Sequence, residues 1–538
     1  MMNPVKQAIV VGGGVTGLCA AYYLARDLGR ENVTLLEADT VAGGTTRSET
    51  VQGYACDFGP NGFLDREPAT LEWIDALGLS GELIRANESA KRRFIYTGGR
   101  LNEAVGPPRF FFSPMLSVKG RLRLMCEPFI AGKRDHTGET IWEFAARRIG
   151  TEAANTLVGP MVSGVFGGDA RVLSLEHCFP RMAAMEREYG GLTRALIGKR
   201  LRKKAVSPLG PSGKLTSFKE GIGRLPEEAA NALKDAVQTG ERVLRLSRTP
   251  EGHYAVETSR ARTHHARAVV VAAPAYAAAE CCRELDEAAG RALESIRYAH
   301  IAVVCTGYPN AAVHGDIHGF GFLAPRHENL RVLGCLWTSS MFPQQAPPGH
   351  TLLRTMVGGY TDPEAVGLSD GELLDLIRRE LHPILGIDAE PEFLRIFRWR
   401  RGIPQYLLGH GAILREIEAA ESRHPGLVFA GNAYRGIGLN DCVLSALRAC
   451  RLVAGFLVVE LRLTARPRAG VPSHSRSQER CFPGATLDPE VPSGWPGMVL
   501  YRFMPDAVFS RRHPDSRHPE RTDSIPENAG DWSGGGRI

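Results

Sequence analysis

The chain has 538 residues, which exceeds what one hydrophobic core usually spans, so the sequence predicts two or more domains. Hydrophobic residues make up 43% and charged residues 23%, as in ordinary globular proteins, and a net charge of +6 over this length argues against a nucleic-acid partner. The eleven cysteines form no CxxC pair and no His/Cys ligand spacing, so we expect neither a metal site nor a disulfide framework.

Two further patterns concern secretion and insertion into a membrane. The N-terminus runs almost directly into the first predicted strand, without a basic segment and an apolar core, so we expect no secretion signal. No window of about eighteen uncharged apolar residues is present, so we expect no membrane-spanning helix. The sequence therefore predicts a cytoplasmic protein whose membrane contact, if it has any, is peripheral.

The first predicted elements are a strand, a glycine turn and a helix. An apolar run at 8–11 is followed by GGGVTG and then by an apolar-periodic helix. In the GxGxxG spacing, Gly12 makes the tight turn, Gly14 lets the backbone approach a pyrophosphate, and Gly17 lets the helix pack closely on the strand. The phosphates are expected at the helix N-terminus, although a plain strand–helix turn is the alternative.

An acidic residue and a second small-residue loop complete this unit. The next predicted strand, NVTLLE, ends in Glu37, which stands twenty residues after Gly17 and can accept hydrogen bonds from ribose hydroxyls. The loop at 42–47 then ends in Arg47. A nicotinamide cofactor does not need such a loop, whereas an extended FAD has a diphosphate and a ribityl chain to enclose. We therefore predict FAD.

The middle of the chain is predicted to be helical and basic. After a turn and a helix at 57–79, the segment 90–217 carries the run RFFF at 109–112, Pro114 to Leu116, three nearby cations (Lys119, Arg121 and Arg123) and GKRLRKK at 198–204. Aromatic residues beside cations are typical of a peripheral membrane patch. The alternative is that the phenylalanines belong to the core and the cations to a solvated face, and the sequence leaves both open.

The remaining segments suggest a domain assembled from distant parts. Predicted strands at 241–247, 254–258 and 266–273 belong again to the cofactor domain. Further strands and a helix at 370–381 are predicted to form a mixed-sheet domain. A strand, a glycine turn and a long helix then complete the cofactor domain. The predicted boundaries are residues 1–89, 218–292 and 396–465 for the cofactor domain, 90–217 for the helical domain and 293–395 for the substrate domain. The proline-rich residues 466–538 are expected to be disordered, or to be a frameshifted or fused end.

The closing segment FAGNAYRGIGLNDCV resembles the C-terminal flavin motif of oxygen-dependent protoporphyrinogen oxidases, a family within the amine-oxidase-like flavoproteins. GPNGFL at 59–64, KRRFIYTGGRL at 91–101, the long motif at 159–192 and WRRGIPQYLLGH at 399–410 are similar to that family as well. The resemblance covers residues 8 to about 461 and is nearer to the myxobacterial and mitochondrial type than to the coproporphyrinogen-oxidising branch. It implies a mixed α/β (α+β) fold: a Rossmann-like FAD-binding domain assembled from discontinuous segments, a mixed-sheet substrate domain and a helical membrane-associating domain.

The resemblance also implies an activity. It is the FAD-dependent oxidation of protoporphyrinogen IX to protoporphyrin IX in heme biosynthesis, with molecular oxygen as acceptor and release of hydrogen peroxide. Coproporphyrinogen III oxidation on the same fold and a catalytically silent flavoprotein scaffold are the alternatives. Besides the porphyrinogen and oxygen, the partner hypotheses are peripheral contact with the cytoplasmic face of a membrane, hand-off to a ferrochelatase and a homodimer.

Substrate residues follow from the resemblance, position by position. Arg93 matches the family's propionate-binding arginine, and Asn61 matches a position beside both flavin and substrate. The residues expected to sandwich the ring are Gly321, Leu323, Leu336 and Met356. From the residues alone, a surface cation is the preferred interpretation of Arg93, while Asn61 is equally a turn residue and the others are equally core residues. No side chain is expected to act as a catalytic group, because the flavin carries the chemistry.

Flavin contacts follow in the same way, with FAD bound noncovalently. Thr45 stands where several relatives have tryptophan, so that contact is not carried over, and Cys442 is interpreted as a buried thiol and not as a covalent flavin link. The predicted contacts are Gly12, Gly13, Gly14, Val15, Thr16, Gly17, Glu37, Gly44, Arg47, Gly59, Pro60, Asn61, Gly62, Val243, Gly431, Asn432, Ile437, Gly438 and Leu439.

Overall fold

The computed structural model describes residues 5–105, 113–201 and 213–464. The strands are β1 (Lys6–Val11), β2 (Val33–Leu36), β3 (Ser48–Val51), β4 (Tyr54–Asp57), β5 (Phe63–Leu64), β6 (Leu83–Arg85), β7 (Phe94–Thr97), β8 (Arg100–Glu103), β9 (Leu215–Phe218), β10 (Val237–Gln238), β11 (Val243–Arg248), β12 (Tyr254–Thr258), β13 (Thr263–Val271), β14 (Tyr298–Pro309), β15 (Gly321–Leu323), β16 (Val332–Trp337), β17 (His350–Gly358), β18 (Phe393–Pro404) and β19 (Leu427–Phe429). The helices are α1 (Val15–Leu28), α2 (Pro68–Ala76), α3 (Val118–Met125), α4 (Ile141–Ile149), α5 (Thr151–Ala153), α6 (Gly159–Phe166), α7 (Leu175–Cys178), α8 (Pro180–Tyr189), α9 (Leu192–Leu201), α10 (Arg224–Leu233), α11 (Ala275–Cys282), α12 (Glu287–Glu294), α13 (Thr338–Met341), α14 (Asp370–Leu385), α15 (His410–Arg423) and α16 (Leu439–Thr464).

The first sheet has the order β10-β2-β1-β13-β12-β11, and β19 also pairs with β13. Its centre is parallel and buried on both sides: Val10 and Val270 face α1 and α16, while Ile9 and Val269 face α11 and α12. Continuous apolar runs suit such strands, because neither face meets water. The strands come from three distant parts of the chain, which confirms the prediction of a Rossmann-like domain assembled from discontinuous segments.

The second sheet is mixed, with the order β18-β14-β17-β16-β15-β7-β8. Its outer pair, β7 and β8, lies in the segment 90–217, for which the sequence predicted helices, so that prediction is wrong here. Gly98 and Gly99 both have positive φ, as a two-residue hairpin turn of type I′ requires, and the strand Phe94–Thr97 then pairs with β15. The FIYTGGRL pattern was the signal for this hairpin. The predicted domain boundaries remain predictions.

The rest of 113–201 is helical, as predicted, and a buried ion network joins its helices. Arg148 is fully buried on α4 and donates through Nε to Glu127 at 2.8 Å, while Arg147 pairs with Glu139 at 3.0 Å and with Glu186 at 2.7 Å. His136, Glu139 and Glu186 lie close enough to share a metal ion. Because both arginines already neutralise these carboxylates, we interpret the group as an ion-pair network.

The long helix α16 is apolar enough and long enough to cross a membrane. Its stretch Leu439–Glu460 has a mean hydropathy of 1.9, although Arg448 and Arg451 interrupt it, which is why no uncharged window was found in the sequence. One stripe, which includes Val443 and Val453, is fully buried against the first sheet and α1. Packing in the core therefore accounts for part of its apolar character. The predicted tail, the RFFF run and residues 202–204 of GKRLRKK lie outside the described residues.

Candidate active site

The first glycine turn joins β1 to α1 and leaves open space at one position only. Gly12 has φ +104°, and a Cβ on Gly17 would lie 1.9 Å from the Gly12 carbonyl oxygen, so these two glycines permit close backbone packing. At Gly14, which is the N-cap of α1, a Cβ would meet nothing within 4 Å. Open space thus lies next to Gly14 at the N-terminus of α1, and a helix N-terminus beside open space suits a diphosphate.

Glu37 follows β2 and lies beside this turn, as predicted. Its carboxylate accepts hydrogen bonds from the Gly13 N–H and from the Asp39 N–H at 2.7 Å. The Glu37 carbonyl accepts from the Glu241 N–H at 2.8 Å, which brings the start of β11, including Val243, to the same end of the sheet. The acidic group is therefore fixed where the ribose of a dinucleotide is expected.

The second glycine loop lies directly against the first. The Gly43 N–H donates to the Gly13 carbonyl at 2.7 Å, and a Cβ on Gly44 would lie 3.3 Å from the Cα of Gly14. Arg47 ends the loop, and its Nε is buried without a hydrogen-bond partner among the residues that the structure describes. A buried, unsatisfied guanidinium N–H next to two glycine loops fits an anionic ligand group.

Two further segments meet these loops. A Cβ on Gly59 would lie 2.3 Å from the Thr45 carbonyl oxygen, so the segment 59–62 passes against the second loop. The Nδ2 of Asn61 is buried without a partner in the described part of the chain. At the closing turn, Gly431 has φ +130° and open space around it, and Asn440 at the start of α16 donates to the Leu64 carbonyl at 2.9 Å. The structure therefore brings the predicted flavin segments together.

The predicted ring-binding residues share one face of the second sheet. Leu323 and Met356 both lie in register with Gly334, and Gly321 lies in register with Leu336. Because side chains alternate along a strand, these side chains point to the same side. Helix α6 covers this face so closely that a Cβ on Gly164 would lie 2.5 Å from Leu323. The opposite face, with Phe322 and Cys335, packs in the core beneath α14.

Arg93 lies at the edge of that face. Phe94 is in register with Phe322, so Arg93 is beside Gly321, and its guanidinium lies 5.0 Å from the Phe320 ring centre. Arg93 remains open to solvent, yet the surrounding protein desolvates the guanidinium and lowers its pKa. Within the described ranges it has no carboxylate partner. An uncommitted cation beside an apolar face can bind a carboxylate of a large apolar substrate.

The neighbouring Arg92 forms its hydrogen bonds and ion pairs within the protein. Its side chain donates to Glu103 at 3.2 Å, to Asp316 at 3.0 Å and to the His318 carbonyl at 3.0 Å. Side-chain hydrogen bonds with Asp316 and Glu103 raise the pKa of Arg92, against a smaller opposing effect of desolvation. Composition alone does not distinguish the two adjacent arginines, and the resemblance selected Arg93, which has no carboxylate partner within the described ranges.

Several residues between the two sheets were not predicted. Arg354 on β17 is buried and donates to the carbonyls of Gly59 and, at 3.3 Å, of Asp57. Phe58 stacks on Phe397 with ring centres 4.0 Å apart, and Trp399 donates to the Phe58 carbonyl at 2.8 Å. The signal for Arg354 was a charged residue within the apolar strand TLLRTMVGG. These contacts join the flavin segment 57–62 to the substrate sheet.

The comparisons with known proteins agree with this geometry. The family model described as flavin containing amine oxidoreductase matches residues 15–454, and the chain belongs to this family. The coproporphyrinogen III oxidase of Bacillus subtilis (strain 168) is 30% identical over 466 residues, which cover 82% of this chain and 97% of the relative. The chloroplastic protoporphyrinogen oxidase of Oryza sativa subsp. japonica is 30% identical over 478 residues, which cover 84% and 88%.

A solved structure supports the same assignment. The crystal structure of an Exiguobacterium sp. 255-15 protein, described as a candidate protoporphyrinogen oxidase, has a TM-score of 0.71 at 26% identity and covers 86% of this chain and 100% of that one. The open glycine loops, the free Arg47 Nε and the Asn61 amide fit FAD, the cofactor that the sequence predicted and the family confirms. The preference for the mitochondrial-type branch remains a prediction, because relatives of both activities are equally identical.

Proposed function

We propose that this flavoprotein oxidises protoporphyrinogen IX to protoporphyrin IX, with molecular oxygen as acceptor and hydrogen peroxide as product, in heme biosynthesis. The observation that carries the proposal is Arg93, which has no carboxylate partner among the described residues and lies beside a covered apolar sheet face. A porphyrinogen combines an apolar ring with peripheral carboxylates, which matches such a face and such a cation. The printed names of the relatives support this substrate class.

The residues of the chain bind and orient the ring and exclude water. When bound, FAD supplies the two-electron oxidation of the methylene bridges. Arg93 pairs with a propionate and so fixes the rotation of the macrocycle, while Leu323 and Met356 contact its apolar body. Helix α6 packs directly against Leu323 and so limits the access of water to this face from its side. Arg354 keeps the flavin segment at a constant distance from this face.

A second candidate substrate, coproporphyrinogen III, differs by additional carboxylates. Arg326 follows β15 at the end remote from Arg93, and its only ion pair is with Asp169 at 3.9 Å, within the described residues. Desolvation lowers the pKa of Arg326, as it does for Arg93. Arg93 thus lies beside the start of β15, and Arg326 follows its end. Two cations placed in this way favour a substrate with carboxylates on two sides of the ring.

The test is porphyrin formation in air by purified, FAD-loaded protein. Protoporphyrinogen IX and coproporphyrinogen III are offered separately, porphyrin fluorescence and peroxide are recorded together, and spontaneous oxidation is subtracted. A higher kcat/KM for the first substrate supports the proposal, and a higher value for the second assigns the other branch. No flavin-dependent rate on either substrate overturns the proposal and favours the silent scaffold.

We also propose that the protein contacts the cytoplasmic face of a membrane through the apolar edge of α3. Val118, Leu122, Met125 and Phe129 recur at helical spacing and are 66%, 59%, 53% and 83% exposed, and Lys119 is exposed beside them. Aromatic and aliphatic side chains next to a cation suit the boundary between headgroups and acyl chains. Such a row of large apolar side chains is unusual for a surface that meets only water.

The patch differs from the one predicted. Met115 and Leu116 are buried, at 5% and 3% exposure, and so belong to the core. Arg123 donates to the carbonyls of Arg147 and Arg148 at 2.7 and 3.1 Å, which commits its guanidinium to the protein. The prediction that Met115, Leu116 and Arg123 belong to an exposed membrane patch is therefore wrong. Hand-off to a ferrochelatase and a homodimer remain predictions from the sequence.

A further inference from the structure

The segment 405–410 follows β18 and lies beneath the closing flavin turn. Tyr406 is fully buried, and its hydroxyl lies between two backbone groups of that turn. It donates to the Asn432 carbonyl and accepts from the Gly436 N–H at 2.9 Å. One side-chain oxygen thus closes the turn at two points that are four residues apart.

His410, four residues after Tyr406, contacts the same turn. Its ring stacks on Tyr406 with centres 4.4 Å apart, and its Nε2 donates to the Tyr434 carbonyl at 2.9 Å. Burial lowers the pKa of His410 to about 4, so the imidazole is neutral near pH 7. In the neutral ring, the bond to a carbonyl places the hydrogen on Nε2. Two stacked side chains therefore fix three backbone groups between residues 432 and 436.

The turn needs such support because of its composition. Gly431, Gly436 and Gly438 stand within eight residues, and glycine loses more backbone freedom on ordering than any other residue. A Cβ on Gly431 would meet nothing within 4 Å, so packing does not support the backbone on that side. Hydrogen bonds from a rigid, buried ring order the backbone before the ligand arrives, which reduces the entropy lost on binding.

The same segment is tied to the helical region. The Tyr406 carbonyl accepts from the Ser174 N–H at 2.8 Å, and the Gln405 side chain donates to the Phe166 carbonyl at the end of α6, also at 2.8 Å. The backbone that carries Tyr406 is therefore fixed independently of the flavin turn. The hydroxyl is a stationary anchor, and the turn is the part that it orders.

We propose that Tyr406 is a positioning residue for the flavin: its hydroxyl holds the turn at residues 431–439 in the conformation that binds FAD. Tyr406 acts through the backbone of Asn432 and Gly436, two positions within that predicted flavin turn. The inference rests on flavin binding and not on the identity of the porphyrinogen.

The test compares Tyr406→Phe with Tyr308→Phe. The first change removes one oxygen, keeps the ring that stacks on His410 and leaves two partly buried backbone groups without this hydrogen-bond partner. Tyr308 is a matched control, because it is equally buried and its hydroxyl bonds at 3.0 Å to His382 on α14, which packs against the second sheet away from the flavin turn. Release of FAD from diluted holoprotein is followed by flavin fluorescence, and the visible circular dichroism of bound flavin is recorded at saturating FAD.

Loss of these hydrogen bonds is expected to raise the Kd for FAD about tenfold in Tyr406→Phe and to change the visible circular dichroism. Tyr308→Phe is expected to lower the melting temperature of the holoprotein comparably while the Kd and the spectrum stay as in the wild type. Wild-type FAD affinity and spectrum in Tyr406→Phe would overturn the inference, and so would equal weakening in both variants. Both readouts are independent of porphyrin formation, so they decide the inference even if the proposed substrate is wrong.

Discussion

Arg354 donates a hydrogen bond to the Gly59 carbonyl and thereby joins the substrate sheet to the loop that follows β4. On β17 it lies in register with Leu336, one of the residues on the predicted substrate face. Its Nε donates to the Asp57 carbonyl at 3.3 Å, and Asp57 in turn accepts from the Ile222 N–H at 2.9 Å. A buried cation therefore sets the spacing between the flavin segment and the face that contacts the substrate.

Replacement of Arg354 by methionine is expected to lower the free energy of unfolding by about 2–4 kcal/mol, because two buried carbonyls lose their donor. Arg331→Met is the control: Arg331 lies in the same sheet region and pairs with Asp362 at 2.7 Å, but it is 40% exposed. A partly exposed pair contributes about 0–1 kcal/mol. Urea denaturation of both variants measures the difference, and equal losses would contradict the role given to Arg354.

The fold was largely predictable from the sequence because its strongest patterns are local. The strand, GxGxxG turn and helix at the N-terminus appear within two residues of their predicted positions, since apolar runs and glycine spacing specify them without reference to the rest of the chain. The hairpin β7–β8 was missed although GG between alternating residues was a local signal. The helical pattern of the surrounding segment 90–217 predicted helix there as well, and the short strand pattern was not recognised within it.

The site was predictable only where a residue belongs to a motif. The resemblance selected Arg93, which has no carboxylate partner in the described part of the chain, whereas Arg92 pairs with Glu103 and Asp316. Arg354 and Tyr406 could not be assigned, because their partners, Gly59 and Gly436, are far from them in the sequence. Contacts between distant segments depend on sheet order and register, which no local periodicity encodes.

Replacement of Arg93 by alanine is expected to raise the KM for the porphyrinogen about 10- to 100-fold, since a charge-assisted hydrogen bond to a carboxylate is lost. The flavin content is expected to stay constant, because Arg93 lies on the substrate sheet. Arg92→Ala removes an equal charge from a side chain that faces Glu103 and Asp316, so its KM is expected to match the wild type. Steady-state kinetics with both variants check this, and equal KM values for the two would remove Arg93 from the site.

Replacement of Arg326 by alanine separates the two candidate substrates. If Arg326 binds a carboxylate that only coproporphyrinogen III carries, kcat/KM for that substrate falls about tenfold and the value for protoporphyrinogen IX is unchanged. Asp169→Asn, which removes the weak partner 3.9 Å away, is the control for a purely structural ion pair. Parallel losses for both substrates in Arg326→Ala would show that this cation does not contribute to specificity.

The membrane proposal predicts a charge-sensitive surface on α3. Leu122→Glu and Phe129→Glu are expected to abolish flotation with vesicles that contain anionic lipid, because a carboxylate can neither enter the acyl boundary nor approach anionic headgroups. Leu244→Glu is the control, since Leu244 is similarly exposed at 52% but lies on β11 of the first sheet. Vesicle binding that persists in the α3 variants would assign membrane contact to another surface.

The buried network in the helical region predicts a pH-dependent stability. Glu127 accepts from the N–H groups of Leu192 at 2.9 Å and Thr193 at 3.0 Å and from Arg148. Burial alone would raise the pKa of Glu127, but the hydrogen bonds from Thr193 and Arg148 outweigh it, and the pKa lies below its usual value. A carboxyl with a lowered folded pKa stabilises the protein above its unfolded pKa of about 4.3, and this contribution is lost as the pH falls through the folded pKa.

Glu127→Gln is therefore expected to cost about 3 kcal/mol of unfolding free energy at pH 7, because the buried Arg148 loses one of its two carboxylate partners and keeps only Glu186, at 3.2 Å. The difference from the wild type is expected to shrink as the pH falls below the unfolded pKa of about 4.3, where the carboxyl of the unfolded chain binds a proton, and to be lost only below the lowered folded pKa. Urea denaturation at pH 7, 5 and 3.5 measures this. Glu88→Gln is the control, since the pairs of Glu88 with Lys91 and Lys214 lie at the surface and are screened by water. A pH-independent difference for Glu127→Gln would show that shape and hydrogen bonding, and not charge, hold α4 in place.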